Sequence, residues 1–245
     1  MSQVVSVISG KGGTGKTSLC AGISSCLAAE GSQVLCIDAD VGLRNLDLSL
    51  GMSEEPILPF TAVMRGEYSL DSAAAHPEIP NLYMLTAPVT ETAEELDAAQ
   101  FSAMLDAARQ RFDWILIDAP AGIGAGFRLA TGSADQAIVV AGSDPASLRD
   151  AARATDVLLQ QRSIPARLVV NRVSAALYRR MHATIDDVMD TTGTPLAGVV
   201  PEDPNITLSA AFGSPVPVYA KRCAAARAFR RIAARLEGIP TKIKL

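Results

Sequence analysis

The sequence predicts an α/β fold: a doubly wound, mostly parallel sheet with helices on both faces. Three observations carry this expectation. Short runs rich in β-branched residues recur along the 245 residues. Most are continuous in hydrophobicity rather than alternating, as strands buried on both faces are. Stretches with helical spacing lie between several of them.

Taken in order, residues 4–8 form the first expected strand. The stretch is apolar but short, has no preceding basic residues and runs straight into a glycine loop, unlike a signal peptide. Helical spacing follows over 17–29, and further strands are expected at 34–37, 82–85, 115–117, 137–140, 168–170 and 196–200. Between them, helices are expected over 94–111, 147–161 and 179–191, and a last one, rich in alanine and arginine, over 222–236. Prolines punctuate the loops, and residues 53–80 are irregular enough to be a lobe on one edge. Internal repeats, low-complexity tracts and linkers are not visible, so residues 1–237 are expected to be a single domain and 238–245 a short tail.

Composition narrows the function classes. With 49% hydrophobic and 20% charged residues, the chain is long enough for a substantial core. A formal net charge of −4 gives no overall attraction to nucleic acid or anionic lipid, so such binding would need a local basic patch. Cys20, Cys26, Cys36 and Cys223 show no C-x-x-C pairing and sit among apolar or small residues, as reduced thiols in a cytoplasmic protein do. Nowhere do about 18 apolar residues run uninterrupted, so no membrane span is expected.

The chemistry begins after the first strand. Gly10-Lys11-Gly12-Gly13-Thr14-Gly15-Lys16-Thr17 satisfies G-x-x-x-x-G-K-[ST] at a strand-to-helix junction. Glycines let the backbone wrap a polyphosphate, and the following helix adds its positive end. Lys16 is expected to reach the β- and γ-phosphates and Thr17 to place a hydroxyl on Mg²⁺, with Ser18 completing the nucleotide-binding stretch. Gly10, Gly12 and Gly15 also spell G-x-G-x-x-G, and Asp38 stands about where a dinucleotide fold places its ribose-binding acid. Lys16-Thr17, which a dinucleotide loop does not need, favours the phosphate loop of a P-loop NTPase.

Acids at strand ends supply the rest. The second strand runs out into Asp38 and Asp40, and the later strand at 115–117 ends at Asp118, followed by a glycine-containing turn. Asp118 is the natural Walker B acid. Magnesium needs only one or two carboxylates beside phosphate oxygens, so Thr17, Asp38 and Asp118 form a candidate metal set. The plain alternative is that Asp38 and Asp118 cap the turns that follow.

Lys11, a second lysine inside the loop, makes the chain resemble the deviant Walker A ATPases of the MinD/ParA superfamily. Residues 38–47 (DADVGLRNLD), 118–123 (DAPAGI) and 200–203 (VPED) are similar to its MinD, division-site branch, from the first strand to about Glu237. The resemblance implies an ATP- and Mg²⁺-dependent homodimer in which Lys11 reaches the partner's phosphates and Asp40 orients the attacking water. Residues 38–47 and 118–123 would be switch segments, while Asn171, Pro201 and Asp203 would line the adenine. It also implies a regulatory protein partner, with Arg149 and Asp150 near its docking place. The plain alternative for Lys11 is a solvated loop lysine.

Relatives with other chemistry fit less well. Residues 118–133 hold no cysteine for an iron–sulfur cluster, and 238–245 hold no tyrosine of the autokinase kind. His76 and His182 are read as surface or capping residues. The branch usually ends in an amphipathic membrane helix, but here Gly238-Ile-Pro-Thr-Lys-Ile-Lys-Leu245 is short and interrupted by Pro240. Ile239, Ile243 and Leu245 with Lys242 and Lys244 would touch lipid only weakly. The last helix carries Arg222, Arg227, Arg230, Arg231 and Arg235 after Lys221, which reads as a solvated face or, as in partitioning ATPases, as a DNA-binding one.

Overall fold

The computed structural model describes residues 2–161, 164–174, 176 and 184–243. Its strands are β1 (Gln3–Ile8), β2 (Val34–Asp38), β3 (Ala74–Ala75), β4 (Leu82–Leu85), β5 (Trp114–Asp118), β6 (Gln136–Ala141), β7 (Ala166–Val173) and β8 (Leu196–Pro201). They form one sheet in the order β3-β4-β2-β5-β1-β6-β7-β8. Every pairing is parallel except that of β3 on β4.

Alternate side chains of each strand enter opposite layers of core. Val4 and Ile8 with Leu35, Ile37, Ile115 and Ile117 face one layer, which also holds Phe101, Phe127 and Leu158. Val5 and Val7 with Val34, Cys36, Trp114 and Leu116 face the other, with Leu19, Ile23, Phe229 and Ile232. Because both faces are covered, the strands read as unbroken apolar runs.

The helices are α1 (Lys16–Ala29), α2 (Leu46–Leu50), α3 (Phe60–Met64), α4 (Ala98–Ala108), α5 (Ala125–Gly132), α6 (Pro145–Gln161), α7 (Ile185–Thr192), α8 (Pro204–Ala211), α9 (Val216–Tyr219) and α10 (Ala224–Leu236). Several boundaries differ from expectation for a local reason. The helix expected over 94–111 is split: Thr92 and Glu95 close a capping box around a 3₁₀ turn, and Asp97 then caps α4 by accepting from Ala99 and Gln100 N–H. α6 starts at Pro145, because Asp144 accepts the Ser147 N–H at 2.9 Å and Ser147 Oγ accepts that of Gly142 at 2.7 Å. α10 starts at Ala224 because the Cys223 sulfur accepts the Ala226 N–H at 3.3 Å. Thr184 and Asp187 cap α7, while the expected start at Arg179 lies outside the described residues, as do His182, Lys244 and Leu245.

The irregular stretch 53–80 carries α3, a 3₁₀ turn and β3, which lies antiparallel on the sheet edge. Past α10 the chain turns back. Arg235 donates to the Thr241 carbonyl, and Thr241 Oγ1 donates to that of Arg231 at 3.2 Å. No helix among the described residues is long and apolar enough to cross a membrane.

α1 and α10 pack together under β1 and β8, and their contact is close enough to require a glycine. A Cβ on Gly22 would lie 2.3 Å from the Phe229 ring, itself 1% exposed. Phe229→Ala should therefore cost about 3–5 kcal/mol, at roughly 2–4 °C of Tm per kcal/mol. Gly22→Ala should destabilise the wild type by overpacking yet stabilise the Phe229→Ala protein by refilling the space. Thermal unfolding of the four proteins checks this, and the same sign for Gly22→Ala in both backgrounds would refute it.

Candidate functional site

β1 delivers the glycine loop to the carboxyl edge of the sheet, between the ends of β5 and β6. Ser9 Oγ donates to the Lys11 carbonyl at 2.7 Å, and Gly122 N–H donates to the Ser9 carbonyl at 3.0 Å, tying the loop to the turn after β5. On the other side, Asn171 Nδ2 donates to the Thr14 carbonyl at 2.8 Å, and Asn171 Oδ1 accepts the Arg172 N–H at 2.9 Å. Gly15 has φ 88°, and a Cβ there would come within 2.3 Å of Asn171 Nδ2, so only glycine fits.

Thr14 and Lys16 are buried, Gly10, Lys11, Thr17 and Ser18 half-buried, and Gly12 and Gly13 exposed. The first turn of α1 contains no acid, which leaves its N–H groups and helix dipole open to an anion.

The three expected acids converge on this loop. Asp38 and Asp118 are register partners in β2 and β5, at 0% and 1% exposure. Asp38 accepts from the N–H groups of Asp40 at 3.0 Å and Leu46 at 3.1 Å, which folds residues 38–46 into a compact loop. It thus does the capping work often given to an aspartate, while each oxygen keeps a second lone pair.

Burial pushes the Asp38 carboxyl up to about 6 against those two N–H groups. Burial and the neighbouring Asp38 push Asp118 up to about 7, opposed by the Thr17 hydroxyl and the Lys16 ammonium. Asp40, half-buried, is raised by burial and held back by Lys16. Asp118 Oδ1 and Thr14 Oγ1 are both buried with no hydrogen-bond partner. A buried carboxylate oxygen left unpaired is costly, and a hydrated hard cation is a partner of the right chemistry. The residues present fit Mg²⁺.

One cleft borders the loop and a second adjoins it at Arg172. One, of ≈ 250 Å³, is lined by Lys11, Gly12, Gly13, Thr14, Asp144 and Arg172, with neighbours from the β6–α6 turn. The other, of ≈ 450 Å³, is lined by Arg172, Glu202, Asp203, Pro204, Ile206 and Thr207. Pro201 ends β8 just before this second cleft. The Asp203 carboxylate caps α8 and accepts from Ala225 N–H at 3.0 Å and from Asn205 N–H and Nδ2 at 3.0 and 2.7 Å. Those donors overcome burial and hold it down to about 2.

Sequence reasoning did not single out Arg172, which stands between the two clefts at φ 57°, or Asp144, whose carboxylate meets Lys11 Nζ at 3.2 Å. Asn171 signals the first only in hindsight. Asp144-Pro145 is a recognisable helix start, but its contact across to residue 11 leaves no local trace.

Other expected groups are placed differently. Of the two roles expected for His76, surface or capping, it takes the second from a buried position: its Nδ1 accepts from Glu78 and Ile79 N–H, and its Nε2 lies 2.8 Å from the Leu50 carbonyl. Cys20, Cys26 and Cys36 are buried, whereas Cys223 is half-buried. Arg149 is exposed on α6. In α10, Arg227, Arg230 and Arg235 donate to carbonyls of their own chain, at Arg222, Lys221 and Ala197.

Asp38 and Asp118 titrate higher in the folded chain than the ordinary 3.8. The folded chain therefore keeps protons that the unfolded chain has released. The stability these groups contribute is full below about pH 4 and is lost as pH rises through about 6 and about 7. In nucleotide-free protein, Asp118→Asn should flatten the decline between about pH 4 and 7 and raise Tm at pH 8 by at least roughly 2–4 °C, the equivalent of about 1 kcal/mol. A lower Tm for the variant at pH 8 would show that the carboxylate is instead stabilised in place.

Comparison with known proteins agrees with this geometry. Residues 5–216 match the family model of the CobQ/CobB/MinD/ParA nucleotide binding domain. The chain is 36% identical over 240 residues to the septum site-determining protein MinD of Synechocystis, covering 97% of this chain and 90% of the relative. It is 32% identical over 249 residues to MinD of Bacillus subtilis, covering 99% and 92%. Among solved structures, the chain resembles one of a MinC:MinD cell division protein complex from Aquifex aeolicus, with TM-score 0.90, 30% identity and coverage of 100% and 99%. MinD complexed with Mg-ADP from Pyrococcus horikoshii aligns with TM-score 0.84 and 29% identity over 97% and 96%. With the loop, the acidic strand ends and these matches in agreement, the chain belongs to the MinD branch of the CobQ/CobB/MinD/ParA family of P-loop ATPases.

Proposed function

We propose that this protein is an ATP- and Mg²⁺-dependent switch in division-site placement, dimerising on ATP and releasing its partner on hydrolysis. The observation that carries the reading is the second loop lysine, Lys11, on a phosphate loop whose buried lysine, Lys16, already faces Asp40 and Asp118. One lysine serves the chain's own nucleotide, and the half-buried one, paired in this state with Asp144, would serve another's.

In this reading the N–H groups from Gly10 to Ser18 and the Lys16 ammonium cradle the phosphates. Thr17 would hold Mg²⁺ directly, and Asp38 and Asp118 would hold it through water; when bound, it neutralises charge on the β- and γ-phosphate oxygens. Asp40 orients the attacking water through its partly buried carboxylate. Lys11 of the partner subunit adds positive charge where negative charge develops, so that assembly and hydrolysis depend on each other. Asn171 and Pro201 border the base. Asp203, whose oxygens are committed to Asn205 and Ala225, shapes that wall by fixing α8 against α10.

A regulatory protein partner is inferred from the MinC:MinD complex among the similar structures. A cytoplasmic location, peripheral at the membrane when dimeric, goes with the division-site role. DNA binding through α10 is the weaker reading, since similar relatives of the chain are septum site-determining proteins.

Two substitutions test the switch. Asp40→Ala should bind ATP and dimerise but hydrolyse at least about 100-fold more slowly, the usual worth of a positioned base. Wild-type turnover in that variant would remove Asp40 from the chemistry. Lys11→Ala should keep nucleotide binding in the monomer, lose ATP-dependent dimers in light scattering, and lose about 10³-fold in hydrolysis, as removal of a trans-acting cation does. Dimers that persist undiminished would end the trans-lysine model.

A further inference from the structure

The lobe over 53–80 takes no part in the chemistry proposed above, yet a residue it encloses reaches the loop that carries Asp40. Thr86 follows directly on β4, whose Leu85 pairs with Ile37 of β2, so it stands beside the exit of β2 toward Asp38. The lobe holds its backbone from both directions: the Thr86 N–H donates to the Leu58 carbonyl at 3.0 Å, and the Thr86 carbonyl accepts the Phe60 N–H at 2.8 Å. Thr86 is also only 1% exposed, so the framework sets where its hydroxyl stands.

That hydroxyl meets the loop after β2. Thr86 Oγ1 accepts from Arg44 Nε–H at 3.0 Å. Arg44 is half-buried and has φ 44°, a left-handed backbone that residues other than glycine and asparagine rarely adopt. Such a conformation persists only where its surroundings impose it. The Arg44 N–H, with that of Leu43, donates to the Asp40 carbonyl, both at 3.3 Å. The Asp40 N–H in turn donates to Asp38 Oδ1 at 3.0 Å. Asp40 is thus gripped at one end by a buried carboxylate and at the other by the turn ending at Arg44. Gly42 and Leu43, at the tip of that turn, are exposed, so packing does not hold it.

We propose that Thr86, acting through Arg44, is a positioning residue for Asp40: the hydroxyl braces the guanidinium and so fixes the turn that aims the Asp40 carboxylate at the attacking water. This rests on the water-orienting role of Asp40 proposed above. A carboxylate on an unbraced turn samples many directions, and misplacement of about 1 Å is enough to slow a reaction that depends on orientation. The lobe then has a mechanical use, as the wall from which the brace is anchored.

The net worth of an ordinary hydrogen bond corresponds to a factor of about 3 to 10. It should appear in the rate of hydrolysis and not in nucleotide affinity, because the phosphate loop that cradles the nucleotide does not touch Thr86. Three substitutions isolate the contact. Thr86→Val keeps the shape and removes the hydroxyl, whereas Thr86→Ser keeps the hydroxyl. Arg44→Asn suits the left-handed backbone but is too short to reach Thr86.

Hydrolysis would be followed in a single turnover with saturating Mg-ATP, at protein concentrations where light scattering shows ATP-dependent dimers to be complete. Mg-ADP binding would be measured alongside by calorimetry. Thr86→Val and Arg44→Asn should each slow turnover about 3- to 10-fold, and the double variant should be no slower than either. Thr86→Ser should recover most of the loss, Mg-ADP affinity should hold in every variant, and Thr86→Val should cost nothing further on the Asp40→Ala background.

Wild-type turnover in Thr86→Val or in Arg44→Asn would overturn the brace, as would a Thr86→Ser protein no faster than Thr86→Val. Additive losses in the double variant, an equal fall on the Asp40→Ala background or a parallel loss of Mg-ADP affinity would overturn it too, by showing general support of the fold. Wild-type turnover in Asp40→Ala, or a wild type that forms no ATP-dependent dimer, would instead bring down the reading on which the inference stands.

Discussion

Two carboxylates buried side by side set the terms for everything around them. Asp38 and Asp118 sit opposite one another in β2 and β5 because parallel strands in register end together, and the glycine loop closes over both. Like charges in a medium of low polarisability repel strongly. The chain answers with Lys16, with two backbone N–H groups on Asp38 and with the Thr17 hydroxyl, yet leaves one oxygen of Asp118 without a partner. A cation would answer both the repulsion and the unpaired oxygen, which marks the arrangement as a site rather than a flaw in the core.

Much of this was legible in the sequence for physical reasons. Strands buried on both faces leave continuous apolar runs, so β2, β5 and β6 could be read almost residue by residue. The loop was legible because wrapping a phosphate demands glycine, lysine and a hydroxyl at fixed spacing. The short helices α2, α3, α5, α8 and α9, with four to eight residues, were not. Pieces of that length have too few turns for periodicity to show, and they exist through packing rather than propensity. The pairing of Lys11 with Asp144, and of Asn171 with Thr14, joins residues 133 and 157 positions apart; contacts of that kind are written in the topology and in no local pattern.

Asn171 shows how the two halves of the sheet act as one site. Its amide spans from the end of β7 to the loop after β1, across the intervening β6. One donor fixes the loop, while its oxygen takes the N–H of a residue held at positive φ, Arg172. The wall of the second cleft and the phosphate loop are thereby mechanically continuous. A side chain pressing on one is felt by the other within two hydrogen bonds.

The thiol inventory offers a spectroscopic handle. Cys20, Cys26 and Cys36 are sealed in the core, while Cys223 is half-buried beside Asp203, at the hinge of α8 and α10. Burial, opposed by the Ala226 N–H and aided by Asp203, lifts its thiol above the ordinary range. Because the other three cysteines are buried, a maleimide dye would attach there in preference, at a rate that rises with pH as the thiolate forms. It would report on the wall of the larger cleft in the natural chain, with no engineered cysteine needed.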